Sequence, residues 1–239
     1  MTSDATRSER EQLRDLVGRA RVVLWGFDGT VCRLFAGRSA EQAAVRLGTW
    51  LEAQGLPGLA TDDRGMLRPD LVLDALDALG AHRAPSSDLV AELEERLTEE
   101  EFRAVCTAMP IAHSDPLIRT WVAIGARMAI TSNNSAKVMR AYLEGRGLLG
   151  CFAPHIYGRP HDFRLVDPHV VSRVLNALGA APSDALVIGG SRWHLLAAQK
   201  ARVPSLGYAN REDRAELLRQ AGAEIVVNSL EPVRAALLA

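Results

Sequence analysis

Three short stretches of this chain gather residue types that do chemistry. The first is Gly26-Phe27-Asp28-Gly29-Thr30, with Cys32 close behind. The second is Ser132-Asn133, and the third is Gly189-Gly190-Ser191-Arg192-Trp193-His194. An aspartate and a histidine held near one another, here Asp28 and His194, form an acid–base pair suited to proton transfer, elimination or cyclisation. The structural alternative is that His194 is a polar residue at a helix start, packed or solvated, and that Trp193 is a packing residue. Cys32 is a nucleophile on paper, but a lone cysteine in such a run packs as a small hydrophobe.

The elements that would position these groups alternate between strand and helix. Residues 1–8 are expected to be disordered, with a helix over Glu9–Arg19. The apolar run Val22-Val23-Leu24-Trp25 predicts a strand that stops at Gly26. From about Arg38 to Met109 the pattern is helical. Apolar residues at spacings of three and four predict helices over Glu41–Gln54, Pro69–Leu79, Asp88–Leu97 and Glu99–Cys106.

After Pro110 the predicted strands are Arg127–Ile130, His155–Tyr157, Ala185–Ile188, Ser205–Tyr208 and Glu224–Val227. Helices fall between them, at Asp115–Ile124, Ser135–Gly145, Pro168–Leu178, Trp193–Ala201 and Arg211–Ala221. Near-continuous apolar strands alternating with helices predict an α/β fold, a parallel sheet covered on both faces. Ligands in such sheets bind at the carboxyl ends of the strands, where all three stretches fall.

Composition narrows the function classes. Of the 239 residues, 48% are hydrophobic and 24% charged, and the net charge is −1, which points away from nucleic-acid and anionic-membrane partners. No stretch reaches the length of a membrane span, and the polar N-terminus lacks a signal-peptide core, so the expectation is a cytoplasmic protein. Cys32, Cys106 and Cys151 are far apart without CxxC spacing, which argues against a disulfide framework or a zinc site. Lys137 and Lys200 are the only lysines, so few positions can supply an ammonium group.

The order FDGT, SNNS and VIGGS before an alanine-rich helix, with a helical insertion after the first strand, resembles the haloacid dehalogenase superfamily of phosphatases. The resemblance spans Val22 to about Val227 and includes a helical cap inserted after the first strand, as in phosphoglycolate-phosphatase-like members. It implies a Rossmann-like parallel-sheet core over 21–37 and 110–239, an N-terminal tail and helix over 1–20, and an α-helical cap domain over 38–109.

The chemistry it implies is phosphoryl transfer through an aspartyl-phosphate. The family's first loop, Asp-x-Asp-Gly-Thr, has Gly26 at the nucleophile's place, while Asp28 keeps the general acid–base place. Ser132, followed by Asn133, fits the residue that hydrogen-bonds the phosphoryl oxygen. Leu165 stands where relatives carry the third-loop lysine, in Leu165-Val166-Asp167-Pro168. Gly190 and His194 stand at the two acidic positions whose carboxylates hold Mg²⁺. Four departures at separated positions imply release from phosphatase work, since that chemistry relies on a metal and a cation to stabilise charge. Arg164 or Lys137 is a conceivable substitute cation, but neither restores a nucleophile.

Mg²⁺ is therefore expected for the family, yet its ligands are not in this sequence. The expected pocket is nearly neutral, with empty volume at Gly26 and Gly190 able to admit a bulkier ligand. An anion could still rest on Ser132, on the amides of Gly29 and Thr30, and at the helix start near Ser191 and Trp193. In the cap, Arg33, Phe35, Arg38 and Trp50 read as solvated arginines and core aromatics. His155, Arg159, His161 and His169 read as loop polar residues rather than a metal set.

Two functions remain open. One is a small-molecule-binding or regulatory pseudoenzyme, with a protein partner or homodimer possible. The other is an enzyme of a different reaction class acting through Asp28 and His194.

Overall fold

The computed structural model describes residues 2–37, 39–56, 88–159 and 169–239. Arg38, His161, Arg164, Leu165 and the helix expected over Pro69–Leu79 lie outside them. The chain divides into two compact units, Met1–Arg33 with Pro110–Ala239, and Leu34–Met109.

The first unit opens with helix α1 (Thr2–Gly18), which includes residues 2–8 of the stretch expected to be disordered. Its many Glu, Arg, Gln and Leu residues are good helix formers. Strand β1 (Val22–Gly26) follows and is buried along its whole length. A two-residue strand β2 (Cys32–Arg33) comes next.

The second unit holds α2 (Ser39–Ala53) and α3 (Asp88–Val105). The latter runs unbroken through Thr98, where two helices were expected, because neither Gly nor Pro interrupts LEERLTEEEF. Leu47 and Leu51 of α2 and Leu93 and Leu97 of α3 are buried. Glu100, itself buried, accepts hydrogen bonds from Arg46 and Arg103.

Strand β3 (Met109–Pro110) pairs with β2, and the Ile111 N–H donates to the Val31 carbonyl at 3.0 Å. The core then alternates through α4 (Ser114–Ala123), β4 (Arg127–Ser135), α5 (Ala136–Gly145), the short α6 (Leu149–Phe152) and β5 (Ile156–Arg159). It continues with α7 (Val170–Leu178), β6 (Ala185–Gly189), α8 (Arg192–Ala201), β7 (Ser205–Tyr208), α9 (Glu212–Gln220), β8 (Ile225–Val227) and α10 (Glu231–Leu237).

The six-stranded sheet has the order β5-β4-β1-β6-β7-β8, and every pairing is parallel. This is the α/β fold expected from the alternating pattern. Central β1 lies between β4, with Gly26 opposite Thr131, and β6, with Trp25 opposite Ile188. The chain builds outward from β1 first to β4 and β5, then on the other side to β6, β7 and β8. The order thus reverses at β1, and a parallel sheet opens a crevice at its carboxyl edge where that happens.

Val22, Leu24, Val174, Leu175, Val187 and Ala198 belong to one core cluster beneath that edge. Among the described residues, no helix is long and apolar enough to cross a membrane.

Candidate functional site

Gly26 ends β1, and the chain turns at once. The Val31 N–H donates to the Phe27 carbonyl at 2.9 Å, and the Gly29 N–H to the Cys32 carbonyl at 2.7 Å. Gly29 has φ +87°, a backbone conformation that a β-carbon strains and glycine accepts freely. The Thr30 hydroxyl folds back onto the Gly26 carbonyl at 2.6 Å in a buried position. Asp28, at the tip of this turn, is exposed.

The second loop comes from β4, which runs on to Ser135 rather than ending at Ile130 as expected, with a register shift against β5 between Thr131 and Ser135. The Ser132 hydroxyl donates to Asn134 Oδ1 at 2.7 Å and accepts from the Asn134 N–H at 3.1 Å. Ser132 is buried, and Asn133 is partly exposed. Lys137 lies exposed in the first turn of α5.

The third stretch starts α8. Ser191 occupies the N-cap position, yet its hydroxyl makes no cap hydrogen bond and lies 2.9 Å from His194 Nδ1. On the other side of the ring, His194 Nε2 is 3.0 Å from the Thr131 carbonyl. A carbonyl only accepts, so Nε2 carries the proton and Nδ1 of the neutral ring accepts from Ser191. Burial pushes the imidazole below its ordinary pKa, against a smaller upward pull from the Thr131 carbonyl. His194 is therefore a neutral, two-point strut between α8 and β4.

That geometry corrects three expectations. The volume at Gly26 is not empty, because a β-carbon there would meet the His194 ring at 3.0 Å. The volume at Gly190 is not empty either, because a β-carbon there would lie 2.8 Å from the Gly29 carbonyl oxygen. Nor does His194 hydrogen-bond Asp28, since both ring nitrogens are engaged with Ser191 and Thr131.

The remaining sequence candidates scatter. Trp193 is partly buried against the core cluster, with the Arg192 guanidinium 4.4 Å from its ring centroid. Cys32 is buried, and its thiol is raised well above its ordinary pKa by burial and then by Asp28, so it is a poor nucleophile. Trp50 is buried in the second unit and donates from Nε1 to Glu92 at 3.1 Å. His155 pairs with the Tyr157 hydroxyl at 3.1 Å, and His169 is exposed before α7.

Arg159, expected as a loop polar residue, is instead buried at the carboxyl end of β5 and donates from Nη1 to the Asn133 carbonyl at 2.9 Å. The strand expected to end at Tyr157 runs two residues further. Gly158 was the available signal, since a β-carbon there would lie 2.5 Å from the Asn134 carbonyl oxygen, which marks close backbone approach.

Mg²⁺ requires a near-octahedral set of oxygens, normally with carboxylates among them. Gly26 and Gly190 offer no side chain, and His194 uses both nitrogens elsewhere. Among the described residues no three His, Cys, Asp or Glu side chains gather as a metal site. The described residues at these positions do not fit the ion.

Comparison with known proteins agrees with this fold. The haloacid dehalogenase-like hydrolase family matches residues 20–202, and the chain belongs to that family. Among solved structures, a haloacid dehalogenase-like hydrolase from Streptococcus pneumoniae is 14% identical, with TM-score 0.64, covering 91% of this chain and 97% of its own. A predicted phosphoglycolate phosphatase from Haemophilus somnus is 16% identical, with TM-score 0.62, covering 88% and 95%. A family hydrolase from Deinococcus radiodurans, solved with bound phosphate and sodium, is 25% identical, with TM-score 0.57, covering 92% and 96%. No curated protein gives a significant match.

The state of His194 sets a pH dependence. Its folded pKa lies below the ordinary value of 6.5, which the unfolded chain approximates. As pH falls below about 6.5, the unfolded state takes up a proton that the folded ring refuses, so stability present above that pH declines. The melting temperature should drop from neutral to mildly acidic pH, and the drop should be smaller in His194→Asn. Equal slopes in both proteins would assign the acid limb to other groups.

Proposed function

We propose that this member of the haloacid dehalogenase-like hydrolase family is a small-molecule-binding or regulatory pseudoenzyme without Mg²⁺-dependent phosphatase activity. The observation that carries the reading is Gly26 at the end of β1 with the His194 ring packed on it. At that place the family chemistry needs a carboxylate to attack phosphorus. Gly190 supports the same reading, because it leaves a metal without its carboxylate. The alternative, proton transfer between Asp28 and His194, gains no support from a ring whose nitrogens face Ser191 and Thr131.

The test is hydrolysis of an aryl phosphate at high protein concentration, with and without Mg²⁺, beside Asp28→Asn. The expected result is no turnover above buffer in any arm. Metal-dependent turnover that disappears in Asp28→Asn would overturn the reading and assign a rebuilt active site.

A further inference from the structure

Glycines end both β1 and β6, and His194 lies against both of them. A β-carbon at Gly26 would stand 3.0 Å from His194 Cε1 and 3.1 Å from Nε2, while one at Gly189 would stand 2.6 Å from His194 Cβ. Carbon atoms in ordinary contact sit about 3.5–4.0 Å apart. A β-carbon at Gly189 would crowd the His194 β-carbon whatever side chain stood there. One at Gly26 would instead press on the edge of the ring itself, so the imidazole takes its place against a position 26 that carries no side chain. The ring is fixed there from opposite sides by Ser191 and by the Thr131 carbonyl.

We infer that His194 is an internal plug. Its imidazole takes up the volume a side chain at position 26 would need and closes the inner end of the carboxyl-edge pocket to tetrahedral oxyanions. The inference rests on the non-phosphatase reading above and gives it a physical device. Neighbouring donors are closed off in the same way. The Ser132 hydroxyl is bound to Asn134, and the Gly29 N–H to the Cys32 carbonyl. A neutral ring fills the pocket without adding a charge to attract an anion. Ligands recognised at this edge then meet the outer surface around Asp28 and Asn133.

The test uses the full chain and inorganic phosphate as the probe, read by thermal shift and by phosphorus NMR line broadening. The wild-type protein should show neither effect at millimolar phosphate, whereas His194→Ala should melt higher with phosphate and broaden its signal. His194→Asn is shorter and still able to donate to Thr131, and it serves if the alanine variant does not fold. Equal phosphate effects in wild type and variants would overturn the plug. No effect in any of them would also overturn it while leaving the non-phosphatase reading standing. That reading falls only on aryl phosphate turnover, so the two failures are distinct.

A second arm reads the steric interlock. Gly26→Ala should lower the melting temperature of the wild type, and the same change should cost less in the His194→Ala background. Additive losses would overturn the interlock.

Discussion

Trp25→Ala should cost about 3–5 kcal/mol of stability in urea unfolding, the range for removing a fully buried aromatic side chain from a packed core. Trp25 is wholly buried in β1, the strand that pairs on both sides, and it packs edge-to-face on Trp121 with centroids 5.8 Å apart and planes at 83°. It is also the residue before Gly26, so a cavity there loosens the turn that presents Asp28. The indole N–H finds no acceptor among the described residues. Trp25→Phe removes that unpaired donor while keeping a ring, and should lose clearly less. A cost below about 1 kcal/mol for Trp25→Ala would mean that the sheet collapses onto the vacated space.

Gly190→Asp adds the carboxylate that the family resemblance assigns to this position, yet it should destabilise the protein by about 1–3 kcal/mol, the usual cost of forcing atoms into a packed region. A β-carbon at this position meets the Gly29 oxygen at 2.8 Å, its carbonyl carbon at 2.9 Å and its α-carbon at 3.2 Å. These are backbone atoms, and the turn that holds them is tied by the Gly29–Cys32 and Val31–Phe27 hydrogen bonds. Neither side can swing away as a long side chain would. Gly190→Ala should cost nearly as much, which separates steric crowding from charge. The measurement is the unfolding midpoint of both variants, followed by aryl phosphate hydrolysis with Mg²⁺. On the proposed non-phosphatase reading no turnover is expected from Gly190→Asp, because Gly26 offers no side chain to attack phosphorus. A stable variant with new metal-dependent turnover would show that the turn yields readily.

Much of the fold was readable along the chain because its determinants are local. Runs such as VVLW and ALVI are apolar without alternation, so they predict strands buried on both faces. Helix and strand boundaries were less legible where the chain continues an element through polar residues. β4 runs on through Thr131-Ser132-Asn133-Asn134-Ser135, and β5 runs on to Arg159, because neighbouring strands supply hydrogen-bond partners that no local pattern announces.

The sequence by itself determined which chemistry each position can carry. Glycine at 26 and 190 provides no carboxylate in any fold, whatever the order of the strands. Only the tertiary structure decided what occupies the space those side chains would fill. His194 and Gly26 are 168 residues apart in a chain whose pairings β1–β4 and β1–β6 bring them into contact. The imidazole's two hydrogen bonds, its neutral state and its fit against two glycines all follow from that packing. Spacing along a chain records which groups are present, whereas close contact between distant groups is set by how strands are ordered and helices docked.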